Sequence, residues 1–144
     1  KGGVRPHLSK VAWMPSKGGG SVMFTTVNGA ADHLEAAIRD LEKLPPDLTR
    51  YLVPPTGTLN CRVIAGTSRM SMHAYGAAID INTRFADYWL WARAPKAGPI
   101  PYRNRIPQAI VDVFERHGFI WGGKWYHYDT MHFEYRPELL PAAR

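Results

Sequence analysis

The chain has 144 residues, of which 45% are hydrophobic and 12% aromatic, enough apolar material for one packed core and too little length for two ordinary domains. Its single cysteine, Cys61, excludes an internal disulfide and a four-cysteine metal site, and its longest apolar stretches fall short of the roughly 18 to 20 residues that span a membrane. The net charge of +6 favours polyanionic surroundings, but no run of four basic residues occurs, so a nucleic-acid groove is not expected.

Opening on Lys1 rather than Met, the sequence reads as a trimmed or mature form, which leaves export open. Residues 1–29 contain Gly2-Gly3, Gly18-Gly19-Gly20, Pro6 and Pro15, a composition that predicts an extended arm laid over the domain. From Ala30 to Leu44 the apolar residues Leu34, Ala37, Ile38, Leu41 and Leu44 recur at helical spacing. Asn28 is the expected N-cap and Pro45-Pro46 the stop.

Beyond Pro54-Pro55, Cys61 to Ala65 reads as a short buried strand with Cys61 as a small hydrophobe, and Gly76 to Asn82 as a second β segment. A polar, flexible loop from Gly66 to His73 joins them. Tyr88 to Tyr102 is an irregular excursion rich in tryptophan, proline and glycine. Pro107 then opens a helix through His117 with Gly118 closing it, and two β segments follow near Phe119 to Trp121 and Thr130 to Tyr135, joined by a turn at Gly122-Gly123. Helices that precede and interrupt a few strands, without a βαβ rhythm, predict an α+β fold with a small, mainly antiparallel sheet in a single domain, 1–144.

Two clusters carry the chemistry. Ser71-Met-His73-Ala-Tyr-Gly76-Ala-Ala78-Ile-Asp80 and Asp129-Thr-Met-His132-Phe-Glu134 each offer a histidine and an acid. Without thiolates, zinc takes imidazole and carboxylate ligands, and a catalytic site keeps three protein ligands and one open position. His73, Asp80 and His132 meet that need. On a strand, Ala78, Asp80 and Asn82 share one face while Ile79 and Ile81 take the other, and His132 and Glu134 alternate with Met131, Phe133 and Tyr135 in the same way. A helix would also bring His73 and Asp80, seven residues apart, to one face, but Gly76 and the β-branched Ile79, Ile81 and Thr83 favour a strand. His7, His33 and His117 read as structural or surface groups, while His127, close to Asp129, can line the cleft. Trp121, Trp125 and Tyr128 read as core residues or as its wall.

The pattern S-x-H-x-x-G-x-A-x-D, followed about fifty residues later by D-x-x-H-F-E, resembles the zinc D-alanyl-D-alanine carboxypeptidase family. That family includes L-alanyl-D-glutamate endopeptidases of phage endolysins and the vancomycin-resistance dipeptidases. The tail from Gly118 through Trp125 to Pro137 looks most like the endopeptidase branch, and the likeness spans residues 62–139. It implies a Hedgehog/D-Ala-D-Ala peptidase-like fold, zinc held by His73, Asp80 and His132, and Asp129 as the base. Some relatives carry Glu at that last position.

The implied reaction is hydrolysis of peptide bonds in peptidoglycan stem peptides by a monomer in the bacterial periplasm or envelope, or by a phage lysin. Arg69 and Ser71 are expected to contact the carboxylate-rich substrate. Glu134, a rival for the role of base by its strand face, is expected to orient His132. The competing expectation is a non-catalytic zinc-containing module that binds the cell wall; it predicts a missing base, whereas Asp129 is present.

Overall fold

The computed structural model describes residues 7–58, 71–92 and 98–141. The strand expected at Cys61 to Ala65, the loop from Gly66 and the substrate contact expected of Arg69 lie outside the described residues. The architecture is α+β; among the described residues, antiparallel strands and two α-helices pack around one hydrophobic cluster.

The first correction falls at the N-terminus. Where the glycine-rich composition predicts an extended arm, β1 (Leu8–Ala12) and β2 (Ser21–Thr25) form an antiparallel hairpin in which Val11 faces Val22. The glycines serve its loop rather than dissolving it. Met14 and Gly18 turn left-handed, the Trp13 N–H donates to the Gly20 carbonyl at 3.0 Å, and a Cβ on Gly19 would stand 2.2 Å from the Trp13 carbonyl oxygen. The hairpin delivers Val11, Trp13, Met14 and Phe24 to the core, all essentially inaccessible to solvent, and the Trp13 Nε1–H is satisfied by the Leu52 carbonyl at 2.9 Å.

Helix α1 (Ala30–Leu41) buries Leu34, Ala37, Ile38 and Leu41 along one stripe, as its periodicity predicts. Its entry differs from expectation. Asn28 and Gly29 both adopt left-handed backbone, Gly29 occupies the cap position, and the Asn28 side chain does not cap. The helix ends at Leu41 rather than Leu44. Pro45 disfavours helical backbone at the residue before it, and the chain closes instead through tight turns, Lys43 onto Asp40 and Leu44 onto Leu41. Helix α2 (Gln108–Arg116) follows Pro107 and turns out through Gly118, which has φ of 90°, burying Ile110, Val111, Val113 and Phe114.

The second sheet has the order β3-β5-β4, with β3 (Ala78–Asp80) and β4 (Phe119–Trp121) each antiparallel to β5 (His132–Tyr135). Both β3 and β5 are shorter than their sequence patterns suggest, because Gly76 closes a helical turn and the His132 N–H is drawn into a turn onto the Asp129 carbonyl. Phe133 stacks on Phe114 at 4.0 Å between ring centroids, which fastens β5 to α2. In the excursion from 88 to 102 the described part includes one tight helical turn, Trp89–Trp91.

If the hairpin is core rather than arm, Trp13→Ala should remove about 3–5 kcal/mol of stability in urea unfolding. A loosely laid arm would leave the midpoint unmoved.

Candidate metal centre

Antiparallel pairing sets Asp80 opposite His132 and Ala78 opposite Glu134, so these four residues share one face of the sheet. Ile79 and Phe133 take the other face, fully buried in the core. Ala78, on the same face as the donors, is also fully buried.

His73 arrives from a separate element, the single helical turn Met72–Tyr75, and the spacing S-x-H-x-x-G describes how that turn is built. The Ser71 hydroxyl accepts the His73 backbone N–H at 3.2 Å, capping the turn's start. Gly76 ends the turn with φ of 68°, and a Cβ there would press to 2.6 Å from the Leu8 side chain. Ser71 is itself buried, and its hydroxyl holds the histidine turn.

Each histidine has one ring nitrogen fixed by a partner behind it. The His73 Nδ1–H donates to the Thr58 carbonyl at 2.8 Å, and the His132 Nε2–H donates to Glu134 Oε1 at 2.8 Å. Thr58 sits on a strap whose neighbour Gly57 pairs with Asp80, the Asp80 N–H donating to the Gly57 carbonyl at 2.9 Å. Glu134 is steadied in turn by the Arg136 guanidinium at 3.4 Å. The Thr58 contribution escapes a reading of side chains, because its backbone carbonyl does the work.

Three atoms then face one another: His73 Nε2, His132 Nδ1 and Asp80 Oδ1, separated by 3.0, 3.0 and 3.2 Å. Lone pairs held that close repel unless a cation lies among them. Tetrahedral coordination with bonds of about 2.0–2.1 Å spaces its donors roughly 3.3 Å apart, so two imidazoles and a carboxylate in this arrangement fit a metal ion. The group is buried, which strengthens the demand for positive charge.

In the metal-free protein a proton meets that demand. Burial disfavours the His132 cation, but hydrogen bonds to Asp80 and Glu134 outweigh it and raise the imidazole to about 9. Burial likewise pushes Asp80 up, yet the bonds from His132 and His73 hold its carboxyl well below the usual range.

Asp129 is buried three residues before His132, in a turn where it receives the His132 N–H and gives its own N–H to the Gly122 carbonyl at 3.0 Å. The remaining histidines lie apart from the three donors. His117 pairs with Asp40 at 2.7 Å, His33 packs on Tyr135, and His127 packs at a tilt against Trp89. Trp121 and Tyr128 are core residues tied to the Thr130 and Pro101 carbonyls, whereas Trp125 is partly exposed with its ring 5.3 Å from that of His132.

Metal uptake must displace the His132 proton, since the ion and the proton compete for Nδ1. Below about pH 9 the protonated form dominates the free site, so zinc affinity should rise about tenfold per pH unit and level off above it. Chelator-competition titrations between pH 7 and 9 check this, and a flat profile would contradict it. In the same titrations Glu134→Ala should weaken zinc binding about 10- to 100-fold, because His132 loses its orienting acceptor.

No curated protein and no solved structure matches the chain. The family model for D-alanyl-D-alanine carboxypeptidase matches residues 65–135, a segment that begins before the histidine turn and ends on β5, so that all three donors and Asp129 fall inside it. Residues 65–135 are thus similar to the D-alanyl-D-alanine carboxypeptidase family of peptidases.

Proposed function

We propose that the protein is a zinc-dependent hydrolase of peptide bonds in peptidoglycan stem peptides, with His73, Asp80 and His132 holding the metal and Asp129 serving as the base. The observation that carries this reading is the convergence of three lone-pair donors, each histidine fixed from behind, within the segment that matches a peptidase family. When bound, zinc supplies a Lewis acid that acidifies water and polarises a carbonyl.

The side chains divide the remaining work. Thr58 and Glu134 fix the ring orientations, so the donors need little rearrangement when the ion enters. Asp129 takes the proton of the attacking water on a carboxylate oxygen and delivers it to the amine nitrogen of the departing peptide, so one group acts first as base and then as acid. Burial of the site lowers the local dielectric and strengthens each of these interactions. The proposed place of action is the bacterial envelope, reached from the periplasm or as a phage lysin, where the net charge of +6 assists adsorption to an anionic wall. Arg69, just ahead of the histidine turn in sequence, is the proposed partner for a substrate carboxylate.

Incubation with defined muropeptides, followed by mass analysis, should show release of terminal alanine or scission between alanine and glutamate. Chelator should abolish cleavage and added zinc restore it. Asp129→Asn should retain about one zinc per chain while losing about 10²- to 10⁴-fold in turnover. Zinc binding with no bond cut by the wild type would leave a binding module and sink the hydrolase reading.

A further inference from the structure

Four large apolar side chains stand exposed on two adjacent segments: Leu90 at 53% and Trp91 at 57% on the Trp89–Trp91 turn, Trp125 at 39% and Tyr126 at 70% after Trp121. Water contact on so much aromatic area is unusual unless something covers it. The backbone beneath is firmly tied. The Trp89 N–H donates to the Tyr128 carbonyl at 2.9 Å, Tyr88 pairs with Asp129, and the Thr130 N–H donates to the Asp87 carbonyl at 3.0 Å. Rings link the two segments, since Trp89 packs at a tilt against His127 at 4.2 Å and Tyr126 packs edge-on against His127 at 5.0 Å. The surface begins at the metal centre, where Trp125 lies against His132.

Its chemistry narrows the occupant. Indole and phenol rings present flat apolar faces with a polar N–H or O–H at the edge. A pyranose ring is the complement, with C–H groups on its face and hydroxyls around its rim. Among the described residues beside it, Lys124 is held by Glu115 and Arg105 by Asp87, so neither is free for the anionic surface of a membrane. A polymer whose scissile peptide sits at the metal would run its sugars over the surface that adjoins it.

We infer that this aromatic surface is a subsite for the sugar rings of the glycan strand to which the stem peptide is attached, an inference that rests on the proposed stem-peptide hydrolysis. Its rings are rigid and lose little freedom on binding, so each adds affinity for polymer without touching the reacting atoms.

The test pairs one stem peptide in two forms, attached to glycan and free. Trp91→Ala combined with Tyr126→Ala should raise KM about tenfold on the attached form and leave the free peptide unchanged, and the Trp91→Phe, Tyr126→Phe pair should recover most of the loss. Equal effects on both substrates, or on neither, would overturn the inference. A second measurement stands apart from catalysis: co-sedimentation with glycan strands stripped of their peptides, beside vesicles of anionic phospholipid. Retention on the glycan that the alanine pair loses supports the subsite even if no peptide is cut, in which case only the hydrolase reading falls. Failure of the wild type to bind stripped glycan, or binding to the vesicles instead, overturns it.

Discussion

The pairing of Asp80 with His132 across two antiparallel strands is the constraint on which the centre depends. Side chains alternate along a strand, so a slip of one residue in either partner would send one donor into the core and bring a large apolar group to the face that carries the donors. Ile79 and Phe133 prevent the slip. Both are fully buried, Phe133 is stacked on Phe114 of α2, and a one-residue slip would take either out of the core. The apolar face therefore sets the polar one, and core burial worth about 1.5–3 kcal/mol per large side chain holds the donors in register.

The third donor depends on a different kind of restraint. His73 stands on one helical turn, too short to be stable alone, and is fixed from three sides: the Ser71 cap, the left-handed exit at Gly76 and the Thr58 carbonyl behind its ring. Gly76 also ties this turn to the hairpin, its carbonyl accepting the Thr25 N–H at 2.9 Å. The N-terminal strands thus contribute to the geometry of the centre although they lie outside the matched segment.

What the sequence made legible follows the same division. Donors on strands were readable, because two-residue periodicity assigns faces from local pattern alone, and His73 was readable through a motif whose spacing encodes a cap and a glycine exit. Glu134 was visible as a neighbour of His132 on one strand face. The hairpin was hidden because a loop of three glycines looks the same in composition whether it connects paired strands or frays, and only the closure of Trp13 onto Gly20 separates the two. Asn28 was misplaced as a cap because local pattern does not show that Asn28 and Gly29 both turn left-handed, which puts Gly29 at the cap position. Thr58 was invisible in principle, since a carbonyl carries no side-chain signature and its partner lies fifteen residues on.

Burial gives the centre two opposed properties. Asp80 is kept ionised in a nearly dry site, which costs free energy that a cation among the donors would repay. A proton on His132 supplies that charge in the metal-free protein, and an entering ion would have to displace it. Metal binding would then add stability by an amount set by free ion concentration relative to the dissociation constant. A site ready for the ion has its donors fixed by the protein rather than gathered by the ion. The Thr58 and Glu134 contacts behind the two rings are the means by which this chain does so.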